Sequence, residues 1–209
     1  MHVPTACLLL LLVPTAADHI PLGYLADGSR CTHSNNAVTI DFTCATVLHS
    51  NLGNQGPDLS APPTVRLANV GRLNGRRIDL EVSNITEYQP DGPSGMERLA
   101  NGLKPQSNGT FGRISLRAPT WGSPLDVAAV KLRFTFLDAG PNGRDEATAQ
   151  PVTLQRTFMS FYDFDTAPTG RVRECIIAEG ASDVIIHGQT TLEAFPASEL
   201  LGNTSSPSA

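Results

Sequence analysis

Val130-Lys131-Leu132-Arg133-Phe134-Thr135-Phe136 alternates apolar and polar residues without a break. Successive side chains of a β-strand point to opposite faces. This order therefore sets Val130, Leu132, Phe134 and Phe136 on one face and Lys131, Arg133 and Thr135 on the other. It describes an antiparallel strand with one buried and one wet face. The same period of two recurs along the chain. Val38, Ile40, Phe42 and Cys44 alternate with Thr39, Asp41 and Thr43, and Ile78, Leu80 and Val82 alternate with Asp79, Glu81 and Ser83. Val65 and Leu67 open a short strand that stops at Gly71, and 111–116 is another. In 152–164, Phe158, Met159, Phe161, Tyr162 and Phe164 leave little polar character on either face. That pattern predicts a central strand buried on both sides, or one crossing a sheet edge. Shorter strands are expected over 172–177, 184–186 and 190–195, and a single helical turn over 96–103.

Turn signals separate these runs: Gly53-Asn54-Gln55-Gly56-Pro57-Asp58, Asn74-Gly75, Asp91-Gly92-Pro93, Asn108-Gly109 and Gly140-Pro141-Asn142-Gly143. Many short strands, abundant Gly/Pro/Asn turns and the lack of an amphipathic helical pattern predict an all-β fold, an antiparallel β-sandwich with a jelly roll as one arrangement. The expected organisation is a leader over 1–17, an N-terminal segment over 18–37, one β-sandwich domain over 38–195 and a disordered polar tail over 196–209.

The leader is read from an aliphatic block with Leu8 to Leu12 at its heart, closed by Pro14 and followed by Thr15-Ala16-Ala17. The block is too short for a transmembrane helix, and the small residues suit a signal peptidase, so cleavage after Ala17 is expected. Its n-region carries no Lys or Arg, a departure from the usual pattern. The processed chain is then expected to be secreted and extracellular, with no transmembrane anchor. A net charge of −5 without basic runs offers no stripe for nucleic acid. Of the four cysteines, Cys7 would leave with the leader. The odd remainder implies one bridge and one spare thiol in an oxidising compartment. Cys31–Cys44 is the first pairing, around a turn at Ser34-Asn35-Asn36, and Cys44–Cys175 is the alternative, tying an early strand to a late one. Three sequons, at Asn84, Asn108 and Asn203, make the chain a candidate glycoprotein. Continued alternation would point Asn84 inward, so either its strand ends early or that sequon is unused.

Five stretches carry a resemblance: Asn51-Leu52-Gly53-Asn54-Gln55-Gly56-Pro57-Asp58, Val65-Arg66-Leu67-Ala68-Asn69-Val70-Gly71, Ile78-Asp79-Leu80-Glu81-Val82, Phe111-Gly112-Arg113-Ile114 and Phe161-Tyr162-Asp163-Phe164-Asp165. In this order they resemble an uncharacterised extracellular β-sandwich domain family of marine algae and some bacteria, over roughly 38–195. The resemblance implies an architecture and a location; the family has no assigned catalytic residues. Its members continue past the point where this chain ends, which implies either a missing final strand or a gene model cut short.

The local candidate for chemistry is Asp163-Phe164-Asp165. Residues two apart in a strand share a face, so both carboxylates would stand about 7 Å apart on one side. Calcium, a hard cation that takes several oxygens in irregular geometry, would suit them. If the strand at Val130 pairs with that at Phe158, Asp126 falls near the pair as a third ligand, while Asp138 lies at the opposite end beside Val152. The competing reading is structural, with Arg171 and Arg173 neutralising the pair. A glycoside hydrolase or lyase would use two carboxyl groups about 5–5.5 Å apart in a retaining enzyme, wider in an inverting one, lined by aromatic platforms. Trp121, the single tryptophan, could supply one such platform or a carbohydrate-binding contact. No Gly-x-Ser-x-Gly elbow, phosphate loop or His-Glu-x-x-His is present. The expected function is therefore a non-enzymatic surface or matrix binding and adhesion module for an extracellular glycan or protein, calcium-stabilised at Asp163, Asp165 and Asp126. The alternatives are a carbohydrate-binding module and, third, a jelly-roll hydrolase or lyase.

Overall fold

The computed structural model describes residues 5–11 (backbone alone), 38–90, 101–106, 109–117, 127–140, 148–155, 157–162, 164, 173–179, 184–186 and 192. Eleven strands are drawn from them: β1 Thr5–Leu11, β2 Val38–Thr39, β3 Thr46–Ser50, β4 Thr64–Leu73, β5 Arg76–Asn84, β6 Gly102–Gln106, β7 Gly109–Arg113, β8 Val127–Asp138, β9 Gln150–Pro151, β10 Thr157–Phe158 and β11 Arg173–Glu179. Among the described residues the structure is strands with two short 3-10 turns, and the pairing is mostly antiparallel. The main sheet runs β11-β1-β8-β5-β4-β3, with β9 against the end of β8. β6 and β7 form a separate hairpin, and β2 pairs β10 in parallel.

The alternation in β8 has the consequence expected of it. Phe134 stands opposite Val82 and Phe136 opposite Leu80 on β5, and Leu80 and Val82 in turn face Leu67 and Val65 on β4. Val65, Leu67, Ile78, Leu80, Val82, Val130 and Leu132 are buried together with Leu52, Tyr88 and Leu154. Each such side chain contributes about 1.5–3 kcal/mol by leaving water. Ile40, Phe42, Leu103, Ile114, Leu116 and Val152 pack against this cluster, so largely irregular segments cover the sheet. Asn74 and Gly75 have φ of 50° and 77° and join Leu73 to its cross-strand partner Arg76. Two positive φ values in a two-residue turn match the right-handed strand twist, which is why Asn-Gly closes this hairpin.

Several expectations yield to local chemistry. The run 38–44 is not one strand. After Thr39 the Asp41 carboxylate accepts the Thr43 amide at 2.8 Å and caps a 3-10 turn over Phe42–Cys44. A short acidic side chain here offers the backbone a partner that a ladder would otherwise supply. β3, which the alternation did not single out, follows that turn. β4 does not stop at Gly71 but passes through a bulge between Leu67 and Gly71, where Asn69 adopts φ 59°. The 152–164 run is not a central strand. Val152 donates to Phe136 O at 2.9 Å, Leu154 turns into the core, and only Thr157–Phe158 is paired again. Tyr162 is 66 % exposed and stacks edge-on against Phe111, with ring centroids 5.3 Å apart. Gly102 and Leu103 belong to β6 rather than to a helical turn. Val184, Ile185 and Ile186 are exposed and in no strand.

The N-terminal apolar run is built into the sheet. Thr5–Leu11 lies between β8 and β11, parallel to both, with Leu10 opposite Leu132 on one side and Ala178 on the other. Cys7 is in register with Cys175. Cys44 and Cys175 each take part in a disulfide, and among the described residues no cysteine is free. Cys31, common to the first pairing, lies outside the described residues.

Candidate functional site

Among the described residues the most organised polar structure is the connection from β3 to β4, which contains the Asn51–Asp58 stretch. Its first residues are buried although they are polar: Asn51 is 0 % exposed and Ser50 3 %. Burying an amide is tolerable only with its hydrogen bonds made. The Asn51 side chain donates to Ala61 O at 2.7 Å and accepts from the Gly56 amide at 3.0 Å, so it spans the loop from inside. Asp58 and Ser50 bond reciprocally: the Asp58 carboxylate accepts the Ser50 amide at 2.6 Å, and the Asp58 amide donates to Ser50 O at 3.0 Å. Asn51 and Gly53 amides reach back to Thr64 O and Pro63 O and close the loop base. Gly53 has φ 60°, and a Cβ there would stand 3.1 Å from Cβ of Tyr88. Glycine is required both for that backbone and for that approach. The polar groups look inward, and Leu59 stands at the tip with 74 % of its surface exposed, flanked by exposed Pro57, Pro62 and Pro63.

Beneath the loop lies a polar network that sequence reasoning missed. Tyr88 is 2 % exposed and Asn101 6 %. Tyr88 Oη donates to the Ser115 carbonyl and accepts from Asn101 Nδ2 at 2.9 Å. Asn101 Oδ1 accepts the Ser115 amide at 2.8 Å, and Asn101 O accepts from Ser50 Oγ at 2.8 Å. Four distant stretches of chain thus meet at one buried amide. Nothing in the spacing of Ser50, Tyr88, Asn101 and Ser115 signals this meeting; only a tyrosine among turn-rich sequence was there to be asked about. His49 links the same region, with Nε2 2.8 Å from Thr64 Oγ1.

The described aspartates are each committed to local structure. Asp41 caps its 3-10 turn and Asp58 holds the Ser50 amide. Asp79, expected on the wet face of its strand, is fully buried between Arg66 and Arg77 at 3.1 and 2.9 Å, and it accepts the bulge amide of Asn69 at 2.9 Å. Asp138 is paired with Arg76 at 2.7 Å and caps the Gly140 amide. The Arg76 hydrogen bond, helped by the Gly140 amide and opposed by partial burial, holds the Asp138 carboxyl below its ordinary pKa. The same bond raises Arg76.

Asp126, Asp163, Asp165 and Trp121 lie outside the described residues, as do Asn108 and Asn203. Asn84 is described. It ends β5 half-buried, and its amide donates to Thr86 O at 2.8 Å. The Thr86 hydroxyl accepts the Lys131 amide at 2.9 Å, so the sequon is stitched to β8. Exposed Ile85 stands at this same end of the sheet as the β3–β4 loop, where Thr64 pairs with Ser83. Among the described residues no helix is long and apolar enough to cross a membrane. Compared with protein-family models, curated proteins and solved structures, the chain finds no match.

Proposed function

We propose that this is a secreted β-sandwich module that binds an extracellular glycan or protein and serves surface or matrix adhesion rather than catalysis. One observation carries the reading. The β3–β4 loop spends Asn51 and Asp58 on fixing its own backbone and turns Leu59 and three prolines outward. A rigid scaffold that holds a preordered, partly apolar loop loses little entropy when a partner arrives. The structural commitment of Asp41, Asp58, Asp79 and Asp138 supports the non-enzymatic part. The irregular layer packed over the β4–β5–β8 core supports a sandwich. Calcium at Asp163, Asp165 and Asp126 is the accompanying proposal, and carbohydrate contact through Trp121 the second reading.

The test is a glycan and matrix-protein array with the purified secreted protein, repeated with Leu59→Ser. Loss of a hit in that variant supports the loop. A glycan hit that survives it but disappears in Trp121→Ala favours the carbohydrate-binding module. Hydrolysis or elimination of an arrayed polysaccharide, abolished by Asp163→Asn, would replace both with an enzyme. Thermal unfolding in millimolar calcium against chelator tests the metal: a rise in Tm that Asp163→Asn and Asp165→Asn remove supports it, and an unchanged Tm sinks it.

A further inference from the structure

The sequon at Asn84 is fastened to β8 through all three of its residues. Asn84 stands opposite Leu132 in the β5–β8 ladder, the Ile85 amide donates to Lys131 O at 2.7 Å, and the Lys131 amide donates to the Thr86 hydroxyl at 2.9 Å. The Asn84 carboxamide lies at the end of the sheet against the β3–β4 loop. Its Nδ2 donates to Thr86 O at 2.8 Å, and its Oδ1 is 3.5 Å from where a Cβ on Gly53 would stand. A carboxamide nitrogen carries two hydrogens. Among the described residues Nδ2 bonds only to Thr86 O, so one hydrogen is committed and the other is not. Asn84 is half-buried, and the next three residues, Ile85, Thr86 and Glu87, are exposed. These contacts act in opposite ways on adding a glycan and on keeping one. A transferase that reads Asn-x-Thr must grip the hydroxyl and the strand around it, and the folded chain has engaged both with Lys131. A glycan already in place replaces one amide hydrogen and leaves the other to donate, so the bond to Thr86 O survives.

We propose that Asn84 carries an N-linked glycan, and that the glycan is added only before β8 closes on β5. In the transfer the Asn84 amide nitrogen bonds to C1 of an oligosaccharide carried on a polyprenyl pyrophosphate. The bond from C1 to the phosphate oxygen breaks, and the lipid pyrophosphate leaves with that electron pair. The nitrogen gives up one proton to a base of the transferase, and nothing is oxidised or reduced. Once Lys131 has paired with Ile85 and Thr86, the sequon is no longer an acceptor. The glycan then stands at the base of the β3–β4 loop beside exposed Ile85, where a bulky, solvated group meets water rather than the core.

The inference rests on the secretion reading, and its test separates the two. The full chain with Asn108→Gln and Asn203→Gln is translated with rough microsomes, and the products are treated with protease and with peptide N-glycosidase. The expected product is protected from protease and carries one glycan, which the glycosidase removes and Asn84→Gln abolishes. Protected chains without a glycan overturn the proposal and leave secretion standing. Digestion of every chain overturns both. The timing is tested on the same chain, folded without its glycan and given solubilised transferase and lipid-linked oligosaccharide beside a synthetic peptide of residues 80–90. Transfer to the folded protein should be about tenfold or more slower than to the peptide, because it waits on local opening of β5 from β8. Equal rates overturn the timing. In amide hydrogen exchange, Ile85 and Lys131 should keep their rates within about threefold when the glycan is present, since it breaks neither of their bonds. Exchange at free-peptide rates in the glycosylated protein alone would overturn the placement on the uncommitted hydrogen.

Discussion

Asp79 gives the sharpest energetic prediction. Its carboxylate is wholly buried, accepts the Asn69 amide at 2.9 Å and meets Arg66 at 3.1 Å and Arg77 at 2.9 Å. The two arginines differ in what they can do without it. Arg77 has 17 % of its side chain exposed and can turn its head outward, whereas Arg66 has 9 % and is held under the sheet. Asp79→Ala therefore takes the Asp79 carboxylate away from a buried guanidinium and the acceptor away from an amide in the bulge. Breaking a buried pair by deleting one member costs about 3–5 kcal/mol. For a chain of this length that is a drop of about 6–20 °C in Tm. Removing both charges is different. Asp79→Leu with Arg66→Met replaces the pair by apolar volume and leaves mainly the orphaned Asn69 amide, at about 1–3 kcal/mol. Urea unfolding of wild type, single and double variants checks both. A single-variant loss below about 1 kcal/mol, the size of an exposed pair, would refute the buried-charge argument. So would a double variant less stable than the single.

Three further outcomes are expected. Tyr88→Phe leaves the Ser115 carbonyl and the Asn101 amide short of a partner, at about 1–3 kcal/mol in chemical denaturation. Gly53→Ala combines a left-handed backbone with an approach to Tyr88, and should cost about 1–2 kcal/mol or more and loosen amide protection over the β3–β4 loop. The Asp138 carboxyl is depressed by Arg76, so its contribution is present above the unfolded carboxyl pKa of about 4 and is lost as pH falls through its lower folded value. Wild type should thus exceed Asp138→Asn by about 0.2–1 kcal/mol at pH 7, and the two should converge in acid melts below about pH 4.

What was legible in the sequence is what a two-residue period and a turn dipeptide encode. Val130, Leu132, Phe134 and Phe136 share the core-facing side, and Asn74-Gly75 closes the β4–β5 hairpin. Side chains that compete with the ladder were not legible. Asp41 stops a strand that hydropathy alone would continue, and Asp79 sits on a face read as wet because nothing near it in sequence announces Arg66 and the Asn69 bulge. The aromatic density of 158–164 reads as two-sided burial or as a crossing at a sheet edge, whereas Tyr162 lies on the surface against Phe111. The loop at Asn51 to Asp58 was recognised as a turn. Its internal fastening by Asn51 was not, since a buried asparagine reads like any exposed one until its partners are in place.

The tight turn at Asn74 and Gly75 also bears on the order in which the molecule can assemble. A hairpin with so short a connection forms in roughly microseconds, whereas a ribosome adds residues at roughly 5–20 per second. β4 and β5 can therefore pair and equilibrate long before Val127, the first residue of β8, has been synthesised. Arg66, Asn69, Arg77 and Asp79 all belong to these two strands, so the contacts made by the Asp79 carboxylate need no later residue. During that interval the nascent hairpin carries its Asp79 carboxylate already paired, and the row of β5 that awaits β8 is the surface in want of a chaperone.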